Sequence, residues 1–246
     1  IMKQSEAIIE RVRRINPTYQ HLELAVDDQL NRIKPGQSLL VKMGGDWHPY
    51  LREQWYPVSV AGTKLVIERP AHEHHEVGQV VDVLGLIGQP IRFRRNLRNV
   101  LLVAYDTPPT PLLMTIPWLM GNTVSVTMVL LGTAKSYDTQ HLNPQVEVIQ
   151  GEDDLNWQNQ VMTVGWADQV LVVVNTDDEL ARFKKVMARF EERRAIIPQN
   201  YLFGVFTGML PCGVGACHAC MLQTRQSWSL VCTDGPAFDL TQITLD

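Results

Sequence analysis

All four cysteines of the chain lie close together near its C-terminal end, in the spacing C-x4-C-x2-C-x11-C. Three thiols in one tight loop and a fourth further along can place four sulfurs around two iron atoms, as in plant-type [2Fe–2S] proteins. Gly213 and Gly215 have no side chains, so the loop can curl around an anionic cluster and direct backbone N–H groups at its sulfurs. The spacing therefore predicts a [2Fe–2S] site. Its predicted iron ligands are Cys212, Cys217, Cys220 and Cys232.

Two other uses of the cysteines stay open. A four-cysteine zinc site usually pairs two C-x2-C knuckles across a longer gap, whereas this chain has one such knuckle, Cys217 to Cys220. Secreted proteins that depend on disulfides spread their cysteines, whereas no cysteine precedes Cys212 here. The pattern favours iron over zinc, and it favours a metal-ligand set over disulfides.

Composition limits the classes of protein that fit. The 246 residues are 45% hydrophobic and 20% charged, which suits a globular chain with a sizeable core. The formal net charge of −4 offers no basic field for nucleic acid. No apolar run reaches the roughly 18 residues of a membrane-spanning helix, and the start, Ile1-Met2-Lys3-Gln4, lacks the pattern of a secretory signal. We expect no nucleic-acid partner, no membrane span and a cytoplasmic location.

The N-terminal part of the chain alternates short apolar runs with turns such as Lys34-Pro35-Gly36 and Ala61-Gly62-Thr63. This regular spacing is typical of a small antiparallel barrel, and it predicts a six-stranded barrel or sandwich. Its strands are expected at Leu22–Leu24, Ser38–Met43, Val58–Val60, Leu65–Ile67, Val80–Leu84 and Pro90–Phe93.

After Asn99, fully apolar strand-length runs alternate with helical segments such as Pro111–Met120. A long amphipathic helix is predicted over Thr176–Ala195, with Asp177, Asp178 and Glu179 in its first turn. Buried runs alternating with helices imply a parallel sheet covered on both faces. The strands are expected at Val100–Val103, Val124–Leu131, Gln145–Ile149 and Gln169–Val174.

The predicted fold is therefore an α+β multi-domain one. Residues 1–98 form an N-terminal antiparallel β-barrel, residues 99–205 form a central α/β domain with a parallel sheet, and residues 206–246 form a C-terminal [2Fe–2S] module.

Two strings around the cysteines carry a resemblance to a known family. They are Cys212-Gly213-Val214-Gly215-Ala216-Cys217-His218-Ala219-Cys220 and Leu230-Val231-Cys232-Thr233-Asp234-Gly235-Pro236-Ala237-Phe238-Asp239. In these strings, and in Lys34-Pro35-Gly36-Gln37 and Gly78 to Gly88 of the barrel, the chain resembles the electron-transfer subunit of class B dihydroorotate dehydrogenase. That family lies within the ferredoxin–NADP reductase superfamily.

The resemblance implies a division of work among the three parts. In the family the barrel binds FAD, the ferredoxin reductase-like α/β domain binds NAD, and the cluster relays electrons between this FAD and the FMN of a separate catalytic subunit. It therefore implies an electron-transfer role, a catalytic oxidoreductase subunit as partner in a hetero-oligomer, and substrate chemistry on that partner.

The flavin segment departs from the family pattern. The family's Arg-Pro-x-Ser stands here as Tyr56-Pro57-Val58-Ser59, without the cationic side chain, and no Gly-x-Gly-Thr turn stands at Ala71–Glu76. We still expect FAD at Tyr56, Pro57, Val58 and Ser59, through backbone groups and Ser59. Tyr56 or Trp55 is expected to stack on the ring, with barrel packing as the open alternative for both.

The nicotinamide segment departs further. A dinucleotide site needs glycines after the first α/β strand, so that the backbone can approach phosphate. Here Ala104–Pro111 contains no glycine, places Asp106 where phosphate would lie, and loses N–H donors to its prolines. The family's Cys-Gly-Pro is likewise replaced at Val174–Asp177. We expect no productive NAD binding.

Three further candidates have structural explanations that we favour. His72, His74 and His75 with their neighbouring glutamates could bind a metal, but such a polar segment is more typical of a solvated hairpin tip. Asp106 is expected to cap the next helix, and His218 is expected at the surface.

Three hypotheses of function follow. The preferred one is a subunit that passes electrons through a [2Fe–2S] cluster to or from a partner, with FAD as a possible relay. The second is a complete flavoprotein reductase with an altered hydride site. The third is a structural or redox-sensing subunit on a reductase scaffold that has lost nucleotide binding.

Overall fold

A computed structural model describes residues 3–44, 51–152 and 154–245 of the chain. Two large sheets and a small hairpin make up its strand structure. No helix of these residues has the length and apolar character needed to cross a membrane.

The first sheet has seven antiparallel strands in the order β4-β3-β7-β1-β2-β6-β5. Strands β4 and β5 form its two opposite edges, although only Tyr56 separates them along the chain. The sheet must therefore curl until its edges meet, which makes it a barrel with Tyr56 at the seam. Its strands are β1 (Lys3–Arg14), β2 (Tyr19–Ala25), β3 (Ser38–Met43), β4 (Glu53–Trp55), β5 (Pro57–Ala61), β6 (Lys64–Pro70) and β7 (Val80–Ile87).

The predicted barrel is confirmed, but its strands differ in part from those predicted. Five predicted strands correspond to β2, β3, β5, β6 and β7. The strand predicted at Pro90–Phe93 is wrong, because this segment pairs with no strand and buries Ile91 against the Gly36 turn instead. Strands β1 and β4 were not predicted. In β1 only Ala7 and Ile9 are buried. The charged residues on either side interrupt the alternation of apolar and polar residues that would indicate a strand.

The second sheet has the order β10-β9-β8-β11-β12-β15, and all its pairs are parallel except β12 with β15. The four predicted strands are therefore confirmed, the one at Gln169–Val174 with the predicted bounds and the other three with shifted ends. The elements from residue 99 to 205 are β8 (Asn99–Tyr105), α1 (Thr110–Leu113), α2 (Thr115–Gly121), β9 (Ser125–Leu131), β10 (Glu147–Gln150), α3 (Gln160–Trp166), β11 (Gln169–Val174), α4 (Glu179–Arg193) and β12 (Leu202–Val205), with a 3-10 turn at Gly132–Ser136.

Both faces of this sheet are buried, as its unbroken apolar runs predict. Alternate residues of β8 point to two separate cores: Leu101 and Val103 face α3 and α4, whereas Leu102 and Ala104 face α1 and α2. The helix predicted over Thr176–Ala195 is shorter at its start. It begins at Glu179, because Asp178 has the left-handed backbone conformation (φ 53°).

The predicted cluster module consists of β13 (Met221–Gln223), β14 (Trp228–Leu230), α5 (Val231–Asp234) and β15 (Ala237–Asp239). Strand β15 pairs with β12, and Val231, Cys232 and Leu240 share the core formed by α3 and α4. The module is thus built onto the edge of the second sheet. The boundaries after residues 98 and 205 stay predictions.

Candidate iron–sulfur site and its surroundings

The cysteine loop, residues 212–220, leaves the second sheet and returns through the β13–β14 hairpin to Cys232. Gly213 and Gly215 have positive φ values of 65° and 76°, which glycine adopts without the strain that other residues meet. A Cβ atom on Gly213 would lie 2.6 Å from Leu40 Cδ1 and 2.9 Å from Ile87 Cδ1. The loop therefore packs directly on the barrel.

The four sulfurs fall into two pairs. Cys212 lies close enough to Cys217, and Cys220 close enough to Cys232, for each pair to influence ionisation within it, and Cys232 N–H donates to Cys220 Sγ at 3.5 Å. Four thiolates around one tetrahedral zinc, at ~2.3 Å from it, would all lie about 3.8 Å from one another. Among the described residues, no three cysteine sulfurs all lie within 4.8 Å of one another. The two-plus-two arrangement suits two metal atoms better than one.

The electrostatics of the sulfurs also suit anionic thiolates bound to metal. Burial opposes ionisation of Cys212, but backbone N–H groups of Cys217, Val214 and Ala216 directed at its sulfur lower its pKa to about 6. Burial and the hydrogen bond with Cys220 raise the pKa of the Cys232 thiol. A bound cation reverses that preference, because a coordinating thiol loses its proton. The donor set therefore fits an iron–sulfur cluster.

Exposure differs along the cysteine set. Cys232 is buried, Cys212 and Cys220 are partly buried, and Cys217 is exposed. The Cys232 side of the site faces the barrel, since Gly88 N–H donates to Cys232 O at 2.9 Å and Gln89 Nε2 donates to Thr233 O at 2.8 Å. The site thus lies where the barrel, the α/β domain and solvent meet.

The segment predicted to hold flavin lies at the barrel seam. The Tyr56 hydroxyl is buried and has no hydrogen-bond partner among the described residues. Burial first, and then the nearby Glu179 carboxylate, raise the pKa of Tyr56 above its usual range. Pro57 and Val58 are buried, whereas Ser59 lines two cavities of about 190 and 530 Å³.

The polar groups of this segment suit FAD. A buried, unpartnered hydroxyl and a serine facing cavities can serve the polar edge of an isoalloxazine ring. The larger cavity is also lined by Lys34 and by Trp118, which stacks on Phe93 at 4.3 Å. Lys34 is a cation that sequence reasoning did not assign to this site. Trp55 does not belong to it: its ring is buried in the barrel, edge-on to His75 and beneath Arg69.

The edge of the second sheet where a dinucleotide would lie holds an ion pair. Asp106 follows β8, and its carboxylate accepts from Thr133 N–H at 3.1 Å and from Arg182 Nη1. Gly132 packs so closely that a Cβ atom there would overlap Asp106 Oδ1. The predicted helix-capping role of Asp106 is wrong, since the residue before α1 is Pro109 and Asp106 joins β9 to α4 instead.

The histidines at positions 72, 74 and 75 do not converge on one point. His72 and His74 are exposed, and His74 pairs with Glu76. His75 is buried, contrary to the predicted solvated tip, and pairs with Glu73. Three other residues that sequence reasoning missed do converge: His21, Glu68 and His141. No local spacing links them, so only the folded chain reveals the group. His218 is exposed, as predicted.

Comparison with known proteins agrees with this architecture. Residues 208–244 match the family model described as the iron–sulfur cluster binding domain of dihydroorotate dehydrogenase B. The NADH-dependent reduced ferredoxin–NADP oxidoreductase structure superposes with a TM-score of 0.71 and 16% identity, covering 98% of this chain and 90% of that one. The cytochrome b5 reductase domain of Ulva prolifera nitrate reductase superposes with a TM-score of 0.55 and 13% identity, covering 81% of this chain and 96% of that one. The fold is that of a ferredoxin reductase-like protein with a C-terminal iron–sulfur domain.

Relatives that match over their full length indicate which kind of ferredoxin reductase-like protein the chain resembles. The electron transfer subunit of dihydroorotate dehydrogenase B (NAD(+)) from Shouchella clausii is 26% identical, over 99% of this chain and 100% of that protein. The subunit of the same name from Bacillus mycoides is 24% identical over the full length of both. The resemblance predicted from the cysteine strings and the barrel turns is therefore confirmed: the chain is similar, from end to end, to these electron transfer subunits.

Proposed function

We propose that this chain is the electron-transfer subunit of an oxidoreductase complex and that a [2Fe–2S] cluster on its four cysteines carries the electrons. The paired sulfurs are the observation that supports this most directly, because each pair can hold one iron. Cys212 and Cys217 would hold one iron, and Cys220 and Cys232 the other. A bound cluster of this kind passes single electrons and has no substrate site, so substrate chemistry belongs to the partner.

The cluster site has two sides through which electrons can enter or leave, one facing the barrel and one facing solvent. The buried Cys232 faces the barrel, where Tyr56, Ser59 and Lys34 would hold FAD. The exposed Cys217 faces solvent, where a partner can approach. Large apolar side chains of the cluster module are exposed, at Met209, Val214, Met221 and Trp228. Exposed apolar side chains of this kind suit a protein interface, and the similar proteins are named as electron transfer subunits of dihydroorotate dehydrogenase B.

NAD is not among the proposed cofactors of this chain. The Asp106 carboxylate at the end of β8 is held by Arg182 and a backbone N–H group, so its negative charge lies where a pyrophosphate would need donors. The cytoplasmic location stays a prediction from the sequence.

The decisive experiment is a visible absorption spectrum of anaerobically purified protein, with iron, sulfide and flavin measured on the same sample. We expect iron and sulfide in equal amounts, a spectrum bleached by dithionite but not by NADH, and released FAD. Iron and sulfide without flavin would leave a cluster-only subunit. Cysteines free of iron and sulfide, or filled by zinc, would contradict the proposal.

A second measurement separates electron transfer from a purely structural cluster. The reduced protein is mixed with an FMN-containing dihydroorotate dehydrogenase catalytic subunit, and reoxidation of the cluster is followed by stopped flow. Reoxidation should be fast on mixing with the catalytic subunit and absent when buffer replaces that subunit. A cluster that forms but does not reoxidise on mixing would instead favour the redox-sensing or structural role.

A further inference from the structure

A second group of metal-ligand side chains lies between the barrel and the α/β domain. His21 on β2 and Glu68 on β6 belong to the barrel, and His141 follows β9 in the α/β domain. Their ligand atoms all lie within 4.8 Å of one another. The Nε2 atoms of His21 and His141 lie 3.5 and 3.3 Å from the same carboxylate oxygen, Glu68 Oε2. Three residues from distant parts of the chain thus direct their ligand atoms to one point.

The distances fit tetrahedral zinc. With zinc about 2.0–2.2 Å from nitrogen and oxygen ligands, the edges of a tetrahedron are about 3.3–3.6 Å long. The two nitrogen–oxygen separations fall in that range. They are long for charge-assisted hydrogen bonds, which have lengths of roughly 2.7–2.9 Å. His21 Nε2 is buried and has no hydrogen-bond partner among the described residues, so its lone pair is available to a metal.

Burial makes an uncompensated carboxylate costly at this point. The Glu68 side chain has no solvent exposure, and those of His21 and His141 are 14% and 16% exposed. A buried carboxylate is stable only when it is paired with a cation or fully hydrogen-bonded. Neutral imidazoles are the ligands that zinc prefers. A divalent cation would add to the hydrogen bonds that Thr110 and Tyr137 donate to the carboxylate, and it would take the place of a proton on His141 Nε2.

Two hydroxyl groups hold the carboxylate in place. Thr110 Oγ1 donates to Glu68 Oε1 at 2.7 Å, and the Tyr137 hydroxyl donates to Oε2 at 2.8 Å. The same hydroxyl oxygen lies 3.0 Å from His141 Nε2. Because its one proton goes to Glu68, this contact is a hydrogen bond only when His141 Nε2 carries a proton, which a bound zinc ion would displace. Partners of this kind orient metal ligands in established zinc sites. The side of the group formed by His21 and His141 opens into a cavity of about 190 Å³, which leaves room for a water as a fourth ligand.

We propose that His21, Glu68 and His141 bind one zinc ion that joins the barrel to the α/β domain. The site uses no cysteine, but it borders the cavity of about 190 Å³ that Ser59 also lines, so it lies beside the segment proposed to hold FAD. The metal has a structural role here, because two of its ligands come from one domain and the third comes from the other. Zinc binding therefore stabilises the contact between the two domains.

The test measures zinc and iron per chain in protein purified without a polyhistidine tag and dialysed against micromolar zinc. We expect one zinc per chain in addition to the iron. His21→Gln and His141→Gln should each lose that zinc while keeping the iron. His74→Gln is the matched control, because His74 is exposed and outside the group; it should keep both metals. Thr110→Val should weaken zinc binding by about 10–100-fold.

Cobalt distinguishes this site from the cysteines. Co²⁺ bound by histidines and a carboxylate gives d–d absorption without the thiolate charge-transfer bands that a cysteine site adds, and this spectrum should vanish in His141→Gln. A chelator should lower the melting temperature of the wild type but not of His141→Gln. Zinc content below stoichiometry in the wild type, or a wild-type zinc content in either histidine variant, would overturn the proposal.

Discussion

At the residue scale, the four cysteines have separate environments rather than forming one uniform set. Cys212 receives backbone N–H groups that favour its thiolate, whereas Cys232 is buried and needs a bound cation to lose its proton. We therefore expect each sulfur pair to be required for assembly of the site.

Replacing one member of the inner pair tests this requirement. Cys220→Ser should reduce iron and sulfide to background, because a serine cannot supply the second sulfur of that pair. The matched control is His218→Asn in the same loop: His218 is exposed with a φ of 59°, a conformation that Asn tolerates. The control should keep full iron content and the visible spectrum. Iron retained in Cys220→Ser at the wild-type level would contradict the assignment.

Glu179, at the start of α4, is the residue whose protonation should influence stability near neutral pH. Burial raises its pKa to about 7, although N–H groups of Thr207 and Gly208 partly oppose this. Between its unfolded pKa, near 4.5, and 7, the native protein holds a proton that the unfolded chain has lost. The contribution of this group to the free energy of unfolding therefore falls as the pH rises through that window.

Glu179→Gln should remove this pH dependence. We expect the wild type to lose about 2 kcal/mol from this group between about pH 5 and about pH 8, allowing for partial screening. Denaturant unfolding of the variant should show a flatter profile. Glu191→Gln, on an exposed position of the same helix, should follow the wild-type profile. Parallel profiles for wild type and Glu179→Gln would show that this carboxyl group is not the cause.

At the scale of elements, the cysteine loop depends on its contact with the barrel. Gly213 approaches Leu40 and Ile87 too closely for a Cβ atom and also has a positive φ. Backbone strain and steric overlap act together at this position, so the loop and strands β3 and β7 can hold the site only with glycine here.

Two alanine substitutions separate these effects. Gly62 has the same φ of 65° as Gly213, but no atom lies within 4 Å of a Cβ placed there. Gly62→Ala should cost about 1–2 kcal/mol in unfolding free energy from strain alone. Gly213→Ala should cost more and should lower the iron content, which Gly62→Ala should not. Equal effects of the two substitutions on stability and on iron would exclude a role for the loop–barrel contact.

At the scale of the whole molecule, the cysteine site lies at a junction and exposes an apolar rim to solvent. Trp228, on β14, is 58% exposed, and Met209 is 73% exposed. Exposed large apolar groups around a cofactor site are typical of a docking surface, and aromatic residues often dominate such interfaces.

Trp228→Ser should weaken binding to the catalytic subunit by at least about 1 kcal/mol, roughly fivefold in Kd, without loss of iron. Titration calorimetry of the two purified subunits measures this. Met162→Ser is the control, because Met162 is also exposed, at 71%, but lies on α3, outside the cysteine module. If Met162→Ser weakens binding as much as Trp228→Ser, the docking surface lies elsewhere.

The sequence by itself determined the features that depend on local spacing. C-x4-C-x2-C places three sulfurs in one loop whatever the rest of the chain does, and its glycines permit the positive φ values that the loop needs. Unbroken apolar runs likewise determined the buried strands β8, β9 and β11. The charged residues of β1 and the three-residue length of β4 gave no such signal.

Only the tertiary structure decided which distant residues meet. Asp106 forms an ion pair with Arg182 instead of capping the next helix. His21, Glu68 and His141 lie close together although long stretches of chain separate them. Sequence periodicity states which face of a strand is buried, but not which strands become neighbours. Strand order and the packing of one domain on another fix those contacts, because they depend on the burial of whole surfaces rather than on any local pattern.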